Sequence, residues 1–95
     1  ALVSIFTTNT IEGKTVNSLY KQGFELSIEG KTHRAIQTYL KALKINPKSA
    51  EIHHALGVLY FENNKGAKAI DHFKKAELLY KERRDKKNKQ DILPP

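Results

Sequence analysis

Cysteine is absent from the 95-residue chain, which excludes a disulfide framework, a thiolate metal site and a cysteine nucleophile. No apolar run approaches the ~20 residues that a membrane-spanning helix needs, and the longest early cluster, ALVSIF at residues 1–6, is broken by Ser4. The chain therefore reads as soluble, with the cytoplasm the favoured compartment. Methionine is missing too, and residue 1 is alanine. The sequence reads as an excerpt or a processed form whose upstream part could have carried a signal or an anchor. No catalytic triad, carboxylate pair or cofactor motif stands out, so neither enzymatic activity nor a cofactor is expected.

What is present is basic charge, unevenly placed. The net charge is +7. Residues 16–49 hold six basic and two acidic groups, residues 50–80 four of each, and residues 81–95 six against three. Two basic zones thus flank a neutral centre. The 39% hydrophobic content suffices for one small core in one domain, burying ~60–65% of the surface that the unfolded chain exposes.

A second feature is repetition. AIQTYLKALKINP begins at Ala35 and AIDHFKKAELLYK at Ala69, an offset of 34 residues that also relates Gly23 to Gly57. In residues 16–29 the apolar groups Val16, Leu19, Tyr20, Gly23, Leu26 and Ile28 fall mostly at three- and four-residue steps, predicting a helix with Thr15 as its N-cap. Gly30 supplies a helix exit and Thr32 a cap for a second helix over 33–45. That helix stops at Asn46 because Pro47 pushes the preceding residue out of helical geometry. Ser49 caps a third helix with Glu51 in its first turn, NNKG at 63–66 is a turn, and a fourth helix starts near Ala67. Lys81 stands where the first copy has Pro47, so the fourth helix is free to run on through KERRDKKNKQ. Spaced pairs such as Glu77 with Lys81, Glu82 with Lys86 and Asp85 with Lys89 are expected to support this extension, each by ~0.2–0.5 kcal/mol.

Two 34-residue helix pairs resemble the tetratricopeptide repeat. Leu19, Gly23 and Leu26 precede Ala35, Tyr39, Ala42 and Pro47 in one copy, and Leu56, Gly57 and Tyr60 precede Ala69, Phe73 and Ala76 in the other. The family's tryptophan is replaced by Leu19 and His53, its first leucine by Gln22, its tyrosine by Leu26 and its closing proline by Lys81. The resemblance implies an all-α fold of two stacked antiparallel helix pairs with an extended basic C-terminal helix. Its parts are an N-terminal arm (1–15), a first repeat (16–49), a second repeat (50–83) and a basic extension and tail (84–95). Small residues let the helices approach, Tyr39 and Phe73 fill the space between them, and each copy is expected to pack on the other.

The resemblance also implies that the first helix of each pair lines a concave surface. Ligand contacts would come from Asn17, Tyr20, Phe24 and Ser27, and from Glu51, His54, Val58 and Phe61. The competing reading of Phe24, Val58 and Phe61 is core filling. Members that grip the C-terminal carboxylate of chaperone tails use lysine, asparagine and arginine here, whereas this chain has mostly Tyr20, Phe24, Glu51 and Val58, so that clamp is not expected. Glu12–Thr15 ends like a phosphate-binding loop, but Thr8 stands where the motif requires glycine, and a turn with a helix cap is the better reading. His53 and His54 point ~100° apart on a helix, and Ala50 and Val58, four residues from His54, cannot ligate; no metal is expected. His53 reads as the substitute for the core tryptophan.

Two further surfaces follow. With no third repeat, Ile70, Phe73, Leu78 and Tyr80 are left for the ALVSIF segment to cover or for a second copy in a homodimer. Arg83, Arg84, Lys86 and Lys87 could contact an anionic partner, although no aromatic is interleaved for base stacking and a solvated helix end is the favoured reading, so nucleic acid is disfavoured. The leading expectation is a module that binds an apolar peptide or amphipathic helix of another protein. The alternatives are a nucleic-acid or anionic-surface binder using the basic helix, and a self-associating structural module.

Overall fold

The computed structural model describes the backbone of residues 2–92 and the side chains of residues 15–89. It contains four helices, α1 (Leu2–Ile28), α2 (Thr32–Ile45), α3 (Ala50–Glu62) and α4 (Gly66–Ile92), and no strand among the described residues. The chain divides at Pro47 and Lys48 into two units, where composition suggested one core. Each unit is a helix hairpin: α1 packs on α2, and α3 packs on α4.

α1 departs from the sequence reading. It runs unbroken from Leu2, so Thr15 lies inside the helix rather than capping it, and Glu12–Thr15 forms no turn. The physical reason is that one interior glycine, Gly13, costs a helix only ~1 kcal/mol, and no proline is present to stop it. The proposed cover of ALVSIF over the α4 face involves side chains outside the described residues.

Both hairpin turns are built the same way. At the end of α1, Gly30 N–H donates to Ser27 C=O at 3.1 Å and Lys31 N–H to Leu26 C=O at 2.9 Å. At the end of α3, Asn64 N–H donates to Phe61 C=O at 3.1 Å and Lys65 N–H to Tyr60 C=O at 2.8 Å. This is the Schellman arrangement, which needs a left-handed residue at its apex; Gly30 supplies it at φ +79° and Asn64 at φ +60°. The chain re-enters a helix at once, so Thr32 is the first residue of α2, and no side chain caps that helix. The Ser49 cap is present: its hydroxyl accepts from Ile52 N–H.

Each hairpin is set by an aromatic ring lying on a glycine. A Cβ added at Gly23 would sit 2.7 Å from Tyr39 Cε1, and one at Gly57 would sit 2.6 Å from Phe73 Cδ1 and Cε1. Around these contacts Leu26, Ala35, Ile36 and Ala42 are buried in the first unit, and Ile52, Leu56, Leu59, Ala69 and Ala76 in the second. Tyr39 is fully buried, and its hydroxyl pKa is pushed up to about 12, chiefly by burial and then by the Tyr20 phenol. Thr38 is buried, while the larger apolar Leu40 is exposed; the Thr38 hydroxyl donates to the Arg34 carbonyl at 2.8 Å.

The second unit contains a histidine pair. His53 Nδ1 and His72 Nδ1 lie 3.0 Å apart, so one ring donates and the other accepts. His53 is buried, as expected of a core substitute. The rings of His53 and Tyr60 both stack on His72, at 5.2 and 5.5 Å between centroids. Lys68 Nζ lies 5.5 Å from the Tyr60 ring centroid. Burial holds the His72 pKa below the usual imidazole range; the charges of His53, Lys75 and Lys68 lower it further, and Asp71 opposes them.

Two predictions follow from this packing. Alanine at Gly23 gains ~1 kcal/mol of helix propensity but must displace a sealed ring, and overpacking costs ~1–3 kcal/mol. Gly23→Ala should therefore lower the urea midpoint, and by more than Gly57→Ala does, because Phe73 is only half-buried and has room to yield. In a Tyr39→Leu background the Gly23→Ala penalty should shrink; an unchanged penalty would rule out the ring contact as its cause. For His72, the folded pKa lies below the unfolded one, so the unfolded chain binds the proton more tightly. The stabilisation is complete above about pH 6.5 and is lost as pH falls through the depressed folded value. The melting temperature should drop between about pH 7 and pH 5, and His72→Gln should flatten that drop. A parallel profile for the variant would assign the pH dependence to other groups.

Candidate functional site

The first helix of each unit presents the same strip of positions. On α1 the strip is Asn17, Tyr20, Phe24 and Ser27; 34 residues further, on α3, it is Glu51, His54, Val58 and Phe61. Steps of three, four and three residues keep each set on one helix face. That face borders the buried positions, Gly23 and Leu26 on α1 and Ile52, Leu56, Leu59 and Tyr60 on α3, so Tyr20, Glu51 and His54 reach residues of the facing helix.

The strip is apolar yet open to solvent. Phe24 is 52% exposed and Phe61 70% exposed, and Tyr20 and Val58 are also exposed. The core-filling reading of the two phenylalanines therefore does not hold. Tyr20 leans its ring on Tyr39 at 5.9 Å between centroids. Polar members of the strip are partly engaged: Ser27 Oγ donates to the Phe24 carbonyl at 2.7 Å. Glu51 accepts from Arg83 of α4 at 2.8 Å on Oε1 and 3.5 Å on Oε2. That hydrogen bond, followed by one from its own backbone N–H, lowers the Glu51 carboxyl below the usual range. The pair is exposed on both sides, so solvent screens it and it adds little to stability.

The pairs expected along the α4 extension are not formed. Among the described residues the ion pairs are Lys31–Glu29 and Arg83–Glu51, and α4 spends its charge across the hairpin rather than along itself. Arg83 also lies 5.5 Å from the Tyr80 ring centroid. Arg84, Lys86 and Lys87 are exposed on α4. Of the residues considered for self-association, Ile70, Leu78 and Tyr80 are exposed, whereas Phe73 is half-buried on Gly57, with its ring 5.6 Å from His54 and edge-on to it.

Phe73 and His54 open onto a groove of about 570 Å³ on the second unit. Ala76 and Tyr80 continue its floor, and Glu77, Lys81 and Arg84 form its rim. Sequence reasoning did not assemble this groove, the Arg83–Glu51 pair or the His53–His72 pair. One signal for the last was available: shifting His53 and His72 back by 34 gives Leu19 and Thr38, so both copies have a polar residue at the second of these positions. Among the described residues no group of three or more His, Cys, Asp or Glu side chains is placed to hold a metal ion, and no helix is long and apolar enough to cross a membrane.

Comparison with known proteins places this geometry. The family model described as "TPR repeat" matches residues 25–64, and the one described as "Tetratricopeptide repeat" matches residues 50–83. A comparison with curated proteins gives no match. Among solved structures, the chain is similar to MamA AMB-1 in two crystal forms. For one form the TM-score is 0.69 and the identity 28%, covering 84% of this chain and 42% of that one. For the other the values are 0.67 and 28%, covering 82% and 44%. MamA MSR-1 gives a TM-score of 0.69 at 27% identity, covering 85% of this chain and 45% of that one. The chain thus spans less than half the length of these MamA chains. With two matching repeats in four helices, the chain belongs to the tetratricopeptide-repeat family, whose repeats are protein-interaction modules.

Proposed function

We propose that this chain docks a partner protein through the exposed strips of α1 and α3, and that the ligand is an apolar peptide or an amphipathic helix. The observation that carries the reading is the solvent exposure of Phe24, Val58 and Phe61 beside the buried face of each helix. Clustered exposed apolar groups mark contact sites in soluble proteins more often than they mark accident. Aromatic anchors with polar neighbours are the usual carriers of binding energy.

In this mechanism Tyr20, Phe24, Val58 and Phe61 bury apolar side chains of the ligand, and His54 adds a ring edge. Asn17 supplies both a donor and an acceptor amide. Ser27 has its proton committed to the Phe24 carbonyl and acts as an acceptor. Glu51 keeps unoccupied lone pairs beside its Arg83 contact for a ligand N–H. None of these groups changes a covalent bond; each strip contributes its own exposed side chains, and specificity comes from matching their spacing along its helix.

The test is selection of a peptide ligand from a displayed random library, followed by titration against variants. Phe24→Ala and Phe61→Ala should each weaken binding by about 2 kcal/mol, roughly thirtyfold in Kd, with little change in melting temperature because both rings are exposed. A selected ligand insensitive to both variants, but lost when Lys86 and Lys87 are neutralised and when salt is raised, would replace this reading with an anionic-ligand one.

A further inference from the structure

The groove of the second unit is distinct from the strips just discussed, although His54 borders both. Its floor is apolar: Phe73, the buried Ala76 and the exposed ring of Tyr80. Ile70, 54% exposed, continues the same α4 face, since Ile70, Phe73, Glu77, Tyr80 and Arg84 follow one another at steps of three and four. Charge is graded along that face. Past Tyr80 the rim is Lys81 and Arg84, neither of which has an ion pair among the described residues; Glu77 is the single acidic group of the lining.

Three occupants fit an apolar groove of this size: a second copy, a polyanion, or a helix of another protein. A second copy brings its own α4, on which Lys68, Lys74, Lys75, Lys81, Arg83, Arg84, Lys86, Lys87 and Lys89 outnumber Asp71, Glu77, Glu82, Asp85 and Asp91. Two such helices carry net charge of the same sign, which opposes their pairing. A polyanion matches Lys81 and Arg84 but leaves Ile70 and Phe73 uncovered and meets the carboxylate of Glu77.

We infer that this groove docks an amphipathic helix of another protein, with apolar side chains on the Ile70–Phe73–Tyr80 floor and carboxylates at the end lying over Lys81 and Arg84. The inference deepens the reading of the chain as an interaction module by naming the chemistry of a partner and a surface for it. The neighbouring Arg83 is already paired with Glu51 and set against Tyr80, which holds the floor ring beside the rim. The acidic end of the ligand then fixes its direction along α4, and salt weakens its docking.

The test uses fluorescence anisotropy with a labelled amphipathic helical peptide of about fourteen residues, some four turns, with leucines along one face and glutamates in one terminal turn. Two control peptides replace the glutamates with lysines or the leucines with serines. The acidic peptide should bind about tenfold more tightly than the lysine peptide. The protein variant Lys81→Glu/Arg84→Glu, altered only at exposed positions and checked for helicity by circular dichroism, should remove that preference. Phe24→Ala and Phe61→Ala should leave it within about twofold.

An acidic-peptide affinity that follows Phe24 and Phe61 but ignores Lys81 and Arg84 overturns the groove assignment while leaving the α1 and α3 strips in place. Equal binding of the serine peptide, or stronger binding of a single-stranded oligonucleotide lost in the same double variant, makes the site a polyanion contact and overturns it. So does a dimer by light scattering that Ile70→Glu dissociates, since a second copy is then the occupant, and so does an absence of binding by the acidic peptide. Loss of library-selected ligands in Phe24→Ala and Phe61→Ala is read separately, so the two readings fail independently.

Discussion

In each hairpin an aromatic ring rests where the opposing helix has no side chain, and that contact limits how closely the two helices approach. Tyr39 occupies the place of a Gly23 side chain, and Phe73 that of Gly57. Ring and glycine come from different helices, so the contact works only if both residues are in register. Once it forms, the small residues Ala35 and Ala42, or Ala69 and Ala76, are buried at helix–helix distance, and larger side chains at those positions would hold the helices apart. Burying one face of each helix this way leaves the adjoining positions open to solvent. The exposed strips with Phe24 and Phe61 are consequences of the same contact.

The two units share this frame and fill it differently. Leu19 and Thr38 in the first correspond to His53 and His72 in the second, so a hydrocarbon and a self-satisfied hydroxyl are exchanged for two hydrogen-bonded imidazoles. The exchange keeps every buried polar side-chain atom among the described residues partnered, while introducing in His72 an imidazole whose burial disfavours its charged form. At the turns, Gly30 and Asn64 do the same geometric work, but asparagine enters the left-handed region less readily than glycine. At the equivalent positions Ile36 and Ile70, exposure is 6% and 54%. The first unit is thus the better sealed by composition, and the second carries the polar and open features.

The fold was legible because its signals are local and occur twice. Gly23 with Tyr39 and Gly57 with Phe73 share one offset, and turn residues and a proline mark most helix ends. The start of α1 was not legible, because Gly13 and Thr15 look like a turn while costing a helix too little to break it. Exposure of Phe24 and Phe61 followed from the helix face to which they were assigned. What could not be read was pairing across a hairpin: Glu51 is 32 residues from Arg83, and His53 is 19 from His72. Neither separation has a periodicity that marks it. Counting opposite charges along one helix gave the wrong partners for the α4 extension: Arg83, which has no acid three or four residues away, reaches Glu51 of the neighbouring helix instead.

One substitution accounts for most of what distinguishes the second unit. Pro47 ends α2 just after Ile45; the equivalent of Ile45 is Leu79, and the equivalent of Pro47 is Lys81. With no proline there, α4 continues to Ile92, and every residue beyond Leu79 has no helical counterpart in the first unit. Tyr80, Lys81, Arg83 and Arg84 all lie in that added length. They supply the end of the groove floor, its basic rim and the clamp on Glu51. The first hairpin can therefore repeat the ring-on-glycine core without repeating the groove. Within this chain, an extended helix converts the end of a repeat into a charged surface, and the absence of a single helix-stopping residue is sufficient for it.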